Sequence, residues 1–452
     1  MPRFIIMGSE PEPELEPAVL EVVGTDASGL EGLSLPWRRR LRQVDLVAAP
    51  QRLLDPLRDW LDGSGGDAEA QGLDAPGPKP KPRSSPDLIP TDHPEELVAR
   101  LRPALAERKQ VLLLASGDPL WFGIGRLLLQ AFPPEQLRFH PAPTSLQLAF
   151  ARIGRPWQDA SWLSLHGRDP EPLALALQRR PAALAVLCDP GAGGADTVRR
   201  MLVASGLEAA YACWICERLG HPRERVIRLA AGEPTPPDLD PLHLVLLVAT
   251  APPCPDPATL PLFGLADGLW LQHPDHPGLM TKREVRIQLL ADLDLPATGV
   301  LWDIGAGVGS VGLEALRLRP GLRLWAVERR AGAAALLAAN AARLAVEPAG
   351  LLEAAAPAAL AQLPDPDRVL IGGGGQGRGA VLEAVLQRLR PNGVVVLPLA
   401  TLEGLAELRT LLERAGLAVR ISQLQVWRGA PLGDGTRLAP LNPVLVLVGQ
   451  RA

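Results

Sequence analysis

The sequence predicts an α/β protein of two successive domains, each built on a parallel sheet. Three observations point there. Apolar strand-like runs alternate with helical stretches along most of the chain, the pattern that right-handed crossovers between parallel strands require. A length of 452 residues with 47% hydrophobic content exceeds what one core uses. The proline-rich stretch Ala251 to Ala258 interrupts the alternation, and a domain boundary is expected there.

Residues 1–21 contain a Glu/Pro alternation and are expected to be an N-terminal extension. Residues 22–250 make the first domain, with strands at Val111–Ala115, Trp162–His166, Ala183–Cys188 and His243–Ala249. Within it, residues 62–90 are Gly-, Ser- and Pro-rich without apolar periodicity, which predicts a disordered insertion. Residues 251–261 are the linker, and residues 262–452 the second domain. Strand-like runs there are Val300–Ile304, Leu322–Glu328, Arg368–Ile371 and Gly393–Leu397, separated by Ala/Leu-rich helices over Ala331–Leu344 and Ala380–Arg390. The alternation of Ala418 to Val426 and the apolar run Pro443 to Val448 add two strands. Each side of the linker is expected to have its own core and to fold alone.

Composition narrows the function. A net charge of −4 with no basic stripe argues against nucleic acid as partner. No apolar run is long enough to span a membrane, and the N-terminal apolar run is too short for a secretion signal, so a cytoplasmic location is expected. Cys213 and Cys216 have metal-like spacing, but no second pair completes four ligands, and in a strand they would face opposite sides. His273 and His276 flank Pro274 and Asp275 in what reads as a loop, without helical ligand spacing. No metal is expected.

The chemistry is carried by glycine. Val300–Ile304 leads into a turn of Gly305, Ala306, Gly307, Val308 and Gly309, and a helix opens near Ser310. Glycine serves where backbone must turn sharply and come within contact of a ligand. Glu328 ends the next strand about 20 residues on, where a carboxylate can hold a ribose diol. A nucleotide-like ligand follows, either NAD or S-adenosylmethionine. A dinucleotide fingerprint wants its third glycine at Ser310, one residue later than it comes here. In the first domain, Ser116-Gly-Asp-Pro119 stands at the carboxyl end of a strand, the ligand edge of an open α/β sheet.

Asp303 followed by the spaced glycines resembles motif I of class I S-adenosylmethionine-dependent methyltransferases. Residues 22–250 resemble the tetrapyrrole (corrin/porphyrin) methylases. That resemblance rests on Leu114-Ala-Ser-Gly-Asp-Pro-Leu120, Gly123-Ile-Gly125, Pro143-Thr-Ser-Leu-Gln-Leu-Ala-Phe-Ala-Arg152, Ser164-Leu-His-Gly-Arg168 and Cys216-Glu-Arg-Leu-Gly220. Residues 264–420 resemble the precorrin methyltransferases that act on carbon 15 and decarboxylate, through Thr281-Lys-Arg-Glu-Val-Arg286, Leu301-Trp-Asp-Ile-Gly-Ala-Gly307 and Ile371-Gly-Gly-Gly-Gly375. Fused in this order, the halves resemble the C(5,15) methyltransferases of cobalamin biosynthesis.

The resemblance implies a tetrapyrrole methylase fold followed by a class I methyltransferase fold with a mostly parallel seven-stranded sheet. It implies methylation of a precorrin at carbon 5 by the first half, and at carbon 15 by the second with loss of a ring acetate as carbon dioxide. S-adenosylmethionine would touch Gly117, Asp118, Pro119, Thr144 and Ser145 in the first domain. In the second it would touch Thr281, Gly305, Ala306, Gly307, Val308, Gly309, Glu328 and Ala356. Lys282, Arg283, Arg286 and Gly373 are candidates for the carboxylate-rich substrate. No catalytic side chain is assigned, because methyl transfer from a sulfonium asks mainly for alignment and a dry site. Assembly of a homo-oligomer through the second domain is also implied.

Three positions depart from the family pattern: Asp26 where a glycine is usual, Leu53 where a histidine is usual, and Ala355 where an aspartate is common. The alternatives are an RNA or other small-molecule methyltransferase, and a first domain that channels substrate without catalysis.

Overall fold

The computed structural model describes residues 18–62, 85–167, 169–372, 377–432 and 435–451. Most of the expected extension and insertion, and Gly373, lie outside them. Backbone contacts divide the chain into two compact units. One comprises Met1–Trp157, Cys216–Val226 and Leu242–Leu244; the other comprises Gln158–Ile215, Ile227–Pro241 and Val245–Ala452.

In the first unit, β1 (Leu20–Thr25), β2 (Leu46–Ala49), β3 (Asp87–Pro90), β4 (Val111–Ser116) and β5 (Leu137–His140) form a parallel sheet ordered β3-β2-β4-β1-β5. Successive residues serve opposite faces: Leu113 packs with Leu20 and Leu101, whereas Leu112 and Leu114 pack with Leu54 and Leu57. Burial on both faces explains why these strands read as unbroken apolar runs. Two boundaries are corrected. Leu20 and Glu21, expected in the extension, open β1. Asp87–Pro90, expected to end the insertion, pairs with β2 and buries Ile89. With one buried residue and a proline at its end, this strand lacks the apolar run that marks the others.

The second unit holds most of a sheet of β6 (Ala160–Ser164), β7 (Ala183–Leu187), β8 (Tyr211–Glu217), β9 (Arg225–Leu229) and β10 (His243–Ala249), ordered β6-β7-β10-β8-β9. It continues into a seven-stranded sheet. This holds β11 (Thr298–Ile304), β12 (Gly321–Glu328), β13 (Gly350–Glu353), β14 (Arg368–Ile371), β15 (Val394–Leu399) and β16 (Ala418–Leu424). A hairpin follows, β17 (Trp427–Leu432) and β18 (Gly435–Pro440), and then β19 (Val444–Gln450). The order is β13-β12-β11-β14-β15-β19-β16; β19 alone runs antiparallel to both its neighbours. This is the sheet that the class I resemblance implied. Leu301, Leu324 and Leu370 face one core, and Val300, Trp302 and Val369 the other. The carboxyl ends of β11, β12 and β14 therefore share one edge.

The hairpin was not foreseen. Its Ala430 is buried in the cluster of Leu202, Leu207 and Ile215, and Ala439 packs against the same cluster. Arg428 Nη1 donates to the Ser205 carbonyl at 2.9 Å, and Arg437 pairs with Asp169 at 3.0 Å. A cluster from one side of the expected boundary is thus completed from the other. The proline stretch is also anchored. Arg343 donates to the carbonyls of Pro252 (3.1 Å) and Pro253 (2.7 Å), and Arg317 to those of Pro257 (3.4 Å) and Pro261 (3.0 Å). Proline has a carbonyl and no N–H to offer, and the guanidinium fork has donors alone, so the two match.

Candidate functional site

The glycine turn after β11 is built by its dihedrals. Gly305, Gly307 and Gly309 have φ of +75°, +58° and +80°, where an L side chain is strained. What surrounds each glycine separates their roles. A Cβ on Gly309 would lie 2.5 Å from Leu337 Cδ2, so this glycine serves packing. A Cβ on Gly307 would find one neighbour, the Leu279 carbonyl oxygen at 3.9 Å. Gly307 therefore faces open space at the sheet's ligand edge, a cradle that a side chain would fill. The N–H groups of Gly305 and Ala306 donate to the Val327 carbonyl at 2.8 and 3.2 Å, tying the turn to β12.

Glu328 ends β12 at 4% exposure. One carboxylate oxygen accepts the Gly307 N–H at 3.0 Å and the other the Arg330 N–H at 3.2 Å. A carboxylate has about four acceptor sites, so both oxygens keep capacity for a ribose diol. Gly307, Val308, Glu328, Arg330 and Ala333 line one cavity with His273, His276 and Leu279. His273 accepts the Asp275 N–H at its Nδ1 (3.2 Å) and stands 2.8 Å from the Ala331 carbonyl through Nε2; the tautomer with hydrogen on Nε2 satisfies both. The histidine pair thus borders the glycine turn.

The other residues expected here fall into groups. The Ala354 N–H donates to the Glu328 carbonyl at 3.0 Å, which brings the strand end before Ala356 to the same edge. Gly372 lies close to the turn, since a Cβ there would be 3.1 Å from the Gly305 carbonyl oxygen. Thr281 gives its carbonyl to Arg286 at 2.7 Å. Arg286 is fully buried; it bonds Asp267 at 2.7 Å and Glu314 at 3.0 Å and also donates to the Leu265 carbonyl. Its guanidinium is committed inside the protein. Arg283 donates to the Gly264 carbonyl at 2.7 Å, and Lys282 to the Gly278 carbonyl at 3.2 Å.

Three residues that hold the site escaped sequence reading. Asn340, 1% exposed, donates to the Val308 carbonyl at 3.0 Å and accepts the Leu271 N–H at 3.0 Å, linking the turn to the segment before His273. Asp267 accepts the Arg283 N–H at 3.0 Å, capping the helix Arg283–Asp292, and pairs with both Arg286 and Arg428. Burial pushes its carboxyl up, but Arg286 and Arg428 outweigh that and hold it below the usual range. Glu314 completes the set. A lone Asp or Glu in an apolar stretch carries no signal of its partner, and nothing nearby in sequence marks these three. Beneath the turn, burial pushes the Asp303 carboxyl up to about 7; the Gly312 N–H at 3.1 Å opposes that rise and Glu328 adds to it.

The first unit gathers a second glycine site. Gly117 has φ +62°, and its N–H donates to the Thr25 carbonyl at 2.7 Å. A Cβ on Gly117 would stand 3.3 Å from Thr144 Cα, and one on Gly24 would be 2.0 Å from the Gly117 oxygen. Gly117, Asp118 and Pro119 thus lie beside Thr144 and Ser145. Thr144 caps the helix Ser145–Arg152 in a capping box with Gln147 (3.1 and 2.8 Å). Asp118 accepts the Leu120 N–H at 2.9 Å, which shapes the loop. The departing residues have partners of their own. Asp26 accepts the Ser28 N–H at 3.0 Å and abuts Gly220, where a Cβ would lie 2.6 Å from its carboxyl carbon. Leu53 covers Gly29, its Cδ2 2.7 Å from a Cβ position there.

Comparison with known proteins divides the chain at a different place from the backbone contacts. Residues 19–235 match the family model of the tetrapyrrole (corrin/porphyrin) methylases, and residues 273–451 that of the precorrin methyltransferase domain. A precorrin-6Y C(5,15)-methyltransferase (decarboxylating) of Sinorhizobium sp is 32% identical over 437 residues, 96% of this chain and 97% of the relative. One of Mycobacterium tuberculosis is 29% identical over 432 residues, 94% and 97% of the two chains. A probable cobalt-precorrin-6B C(15)-methyltransferase (decarboxylating) of Pyrobaculum calidifontis is 37% identical over 186 residues, 41% of this chain and 94% of its own.

Proposed function

The chain belongs to the precorrin-6Y C(5,15)-methyltransferase (decarboxylating) family, and from that premise we propose a division of labour between its two glycine sites. It is a methyltransferase of cobalamin biosynthesis whose methyl donor is S-adenosylmethionine. The half with the seven-stranded sheet methylates carbon 15 and decarboxylates; the tetrapyrrole methylase half methylates carbon 5. The observation that carries this reading is Gly307, held at φ +58° with open space where a Cβ would be and with Glu328 on its N–H.

Gly305 to Gly309, Glu328, Thr281 and the backbone at Ala356 would hold the donor in the second half; Gly117 to Pro119, Thr144 and Ser145 would hold it in the first. When bound, it supplies a methyl group already activated on a sulfonium. The protein's own part is to orient and to exclude water. Glu328 fixes the turn and takes the ribose; Asn340 holds Val308 in place. Arg283 and Gly373 remain the proposed substrate contacts, whereas Lys282 turns its ammonium to the Gly278 carbonyl. Arg286, with its donors committed to buried carboxylates and carbonyls, stiffens the helix that presents Arg283. The electron sink for decarboxylation belongs to the macrocycle. No helix among the described residues is long and apolar enough to cross a membrane. A cytoplasmic location and a homo-oligomer formed through the second domain complete the proposal.

Mass spectrometry of a precorrin-6 substrate incubated with methyl-labelled S-adenosylmethionine tests the whole reading. Two labelled methyls gained and one carbon dioxide lost are expected; a single methyl without carbon dioxide loss would overturn it. Asp26 against Gly220 and Leu53 over Gly29 favour a second reading, in which the first half binds substrate without methylating it. Calorimetric counting of donor sites separates the two, with two sites expected for the bifunctional enzyme and one for the scaffold.

A further inference from the structure

Within the second unit a cavity of ≈ 30 Å³ is walled by Arg180, Lys282, Arg428 and Asp267 on its polar side, with Leu177 and Leu441 among its apolar neighbours. Asp267 is already engaged: its carboxylate serves the Arg283 N–H, Arg286 and Arg428, and its carbonyl serves Arg180. Donors are left over. Arg180 is 4% exposed, and its Nε–H has no acceptor. Lys282 gives one hydrogen bond, to the Gly278 carbonyl at 3.2 Å, of the three an ammonium can make.

The charges of this network are also out of balance. Arg180, Lys282, Arg286 and Arg428 bring four positive charges, and Asp267, Glu284 and Glu314 three negative ones. Buried donors without acceptors and buried charge without a partner both carry a penalty. One small acceptor bearing a single negative charge removes both.

We propose that this cavity binds one monovalent anion of halide size between Arg180 Nε and Lys282 Nζ. The cavity has room for a water-sized body, and a halide ion is of that order of size. The ion would fasten the segment from Gly278 to Lys282 against the helix Glu171–Gln178, where a Cβ on Gly278 would lie 2.8 Å from the Gln178 carbonyl oxygen. The same segment carries the Leu279 carbonyl that faces Gly307. Anion binding therefore supports the donor site from behind without entering it.

The experiment exchanges chloride for gluconate at constant ionic strength with the full chain. A saturating rise in melting temperature of about 2–4 °C is expected in chloride and not in gluconate. Arg180→Met and Lys282→Met should each abolish the chloride-specific rise. Crystals of the unaltered protein grown in bromide should show one anomalous peak in the cavity, a readout that stands even where a variant fails to fold. Equal melting in the two salts, a response that persists in both variants, or no bromide density in the cavity would overturn the proposal. A water alone would satisfy the donors, and it would give the first and third of these results.

Discussion

Replacing Asp303 with asparagine should flatten part of the pH dependence of stability. Asp303 is 2% exposed beneath the glycine turn, and its carboxyl titrates near 7 against 3.8 for the unperturbed group. Because the folded value is raised, the unfolded chain gives up this proton at lower pH than the folded protein does. Stability is therefore fully present below the unfolded value, falls as pH rises toward 7, and stays low above it. Two titrations at these values, compared between pH 5 and pH 8, amount to a loss of about 2–3 kcal/mol. Asparagine cannot ionise, yet its side-chain oxygen can still accept the Gly312 N–H that Asp303 accepts at 3.1 Å. Urea unfolding of both proteins at pH 5, 6, 7 and 8, followed through the transition of the seven-stranded sheet, isolates the effect because other groups cancel in the difference. The variant should gain about 2–3 kcal/mol on the parent across that range. Parallel curves for the two proteins would refute the raised carboxyl.

Glu328→Ala should weaken S-adenosylmethionine binding in the second half by about 10–100-fold, the loss of a charge-assisted bond, with the fold retained; unchanged calorimetric affinity would remove the ribose assignment. Gly307→Val should abolish carbon-15 methylation, since the side chain fills the cradle at a φ of +58°, while carbon-5 methylation survives. Regiochemical analysis of the methylated product checks this. Arg286→Ala should destabilise the second unit by about 3–5 kcal/mol, because it takes the cation from the buried Glu314 carboxylate and leaves Asp267 with Arg428 alone. A shift in the urea midpoint no larger than that of a surface arginine variant would contradict that estimate.

Most strands were legible because parallel sheets bury both faces and leave plain apolar runs; Arg368–Ile371 and His243–Ala249 match their predicted limits residue for residue. The glycine turns were legible for a related reason, since the positive φ at Gly305 and Gly307 strains other side chains and favours glycine. What could not be read depends on distant partners. The hairpin strand Trp427–Leu432 contains Gly429 and Pro431 and buries Ala430 in a cluster with Leu202, Leu207 and Ile215, more than two hundred residues earlier. Arg286 looked like a substrate contact because an arginine beside a cofactor strand usually is exposed; Asp267 and Glu314, 19 residues before and 28 after it, draw it inside. The expectation that residues 262–452 fold alone met the same difficulty, as the cores on the two sides of the proline stretch interlock through Ala430 and Arg428.

The arginine clamps on the proline stretch bear on how the chain would respond to a protease. A protease needs backbone that opens and lies extended in its cleft, and cleavage follows the opened population. Carbonyls of Pro252, Pro253, Pro257 and Pro261 held by Arg343 and Arg317 keep this segment closed although it lies at the surface. Cutting there should be slow. Once made, a cut would not part the pieces, because Arg180 still reaches the Asp267 carbonyl, Arg428 the Ser205 carbonyl, and Arg437 the Asp169 carboxylate. The nicked protein would give two bands in denaturing gel electrophoresis and elute as one species from a sizing column.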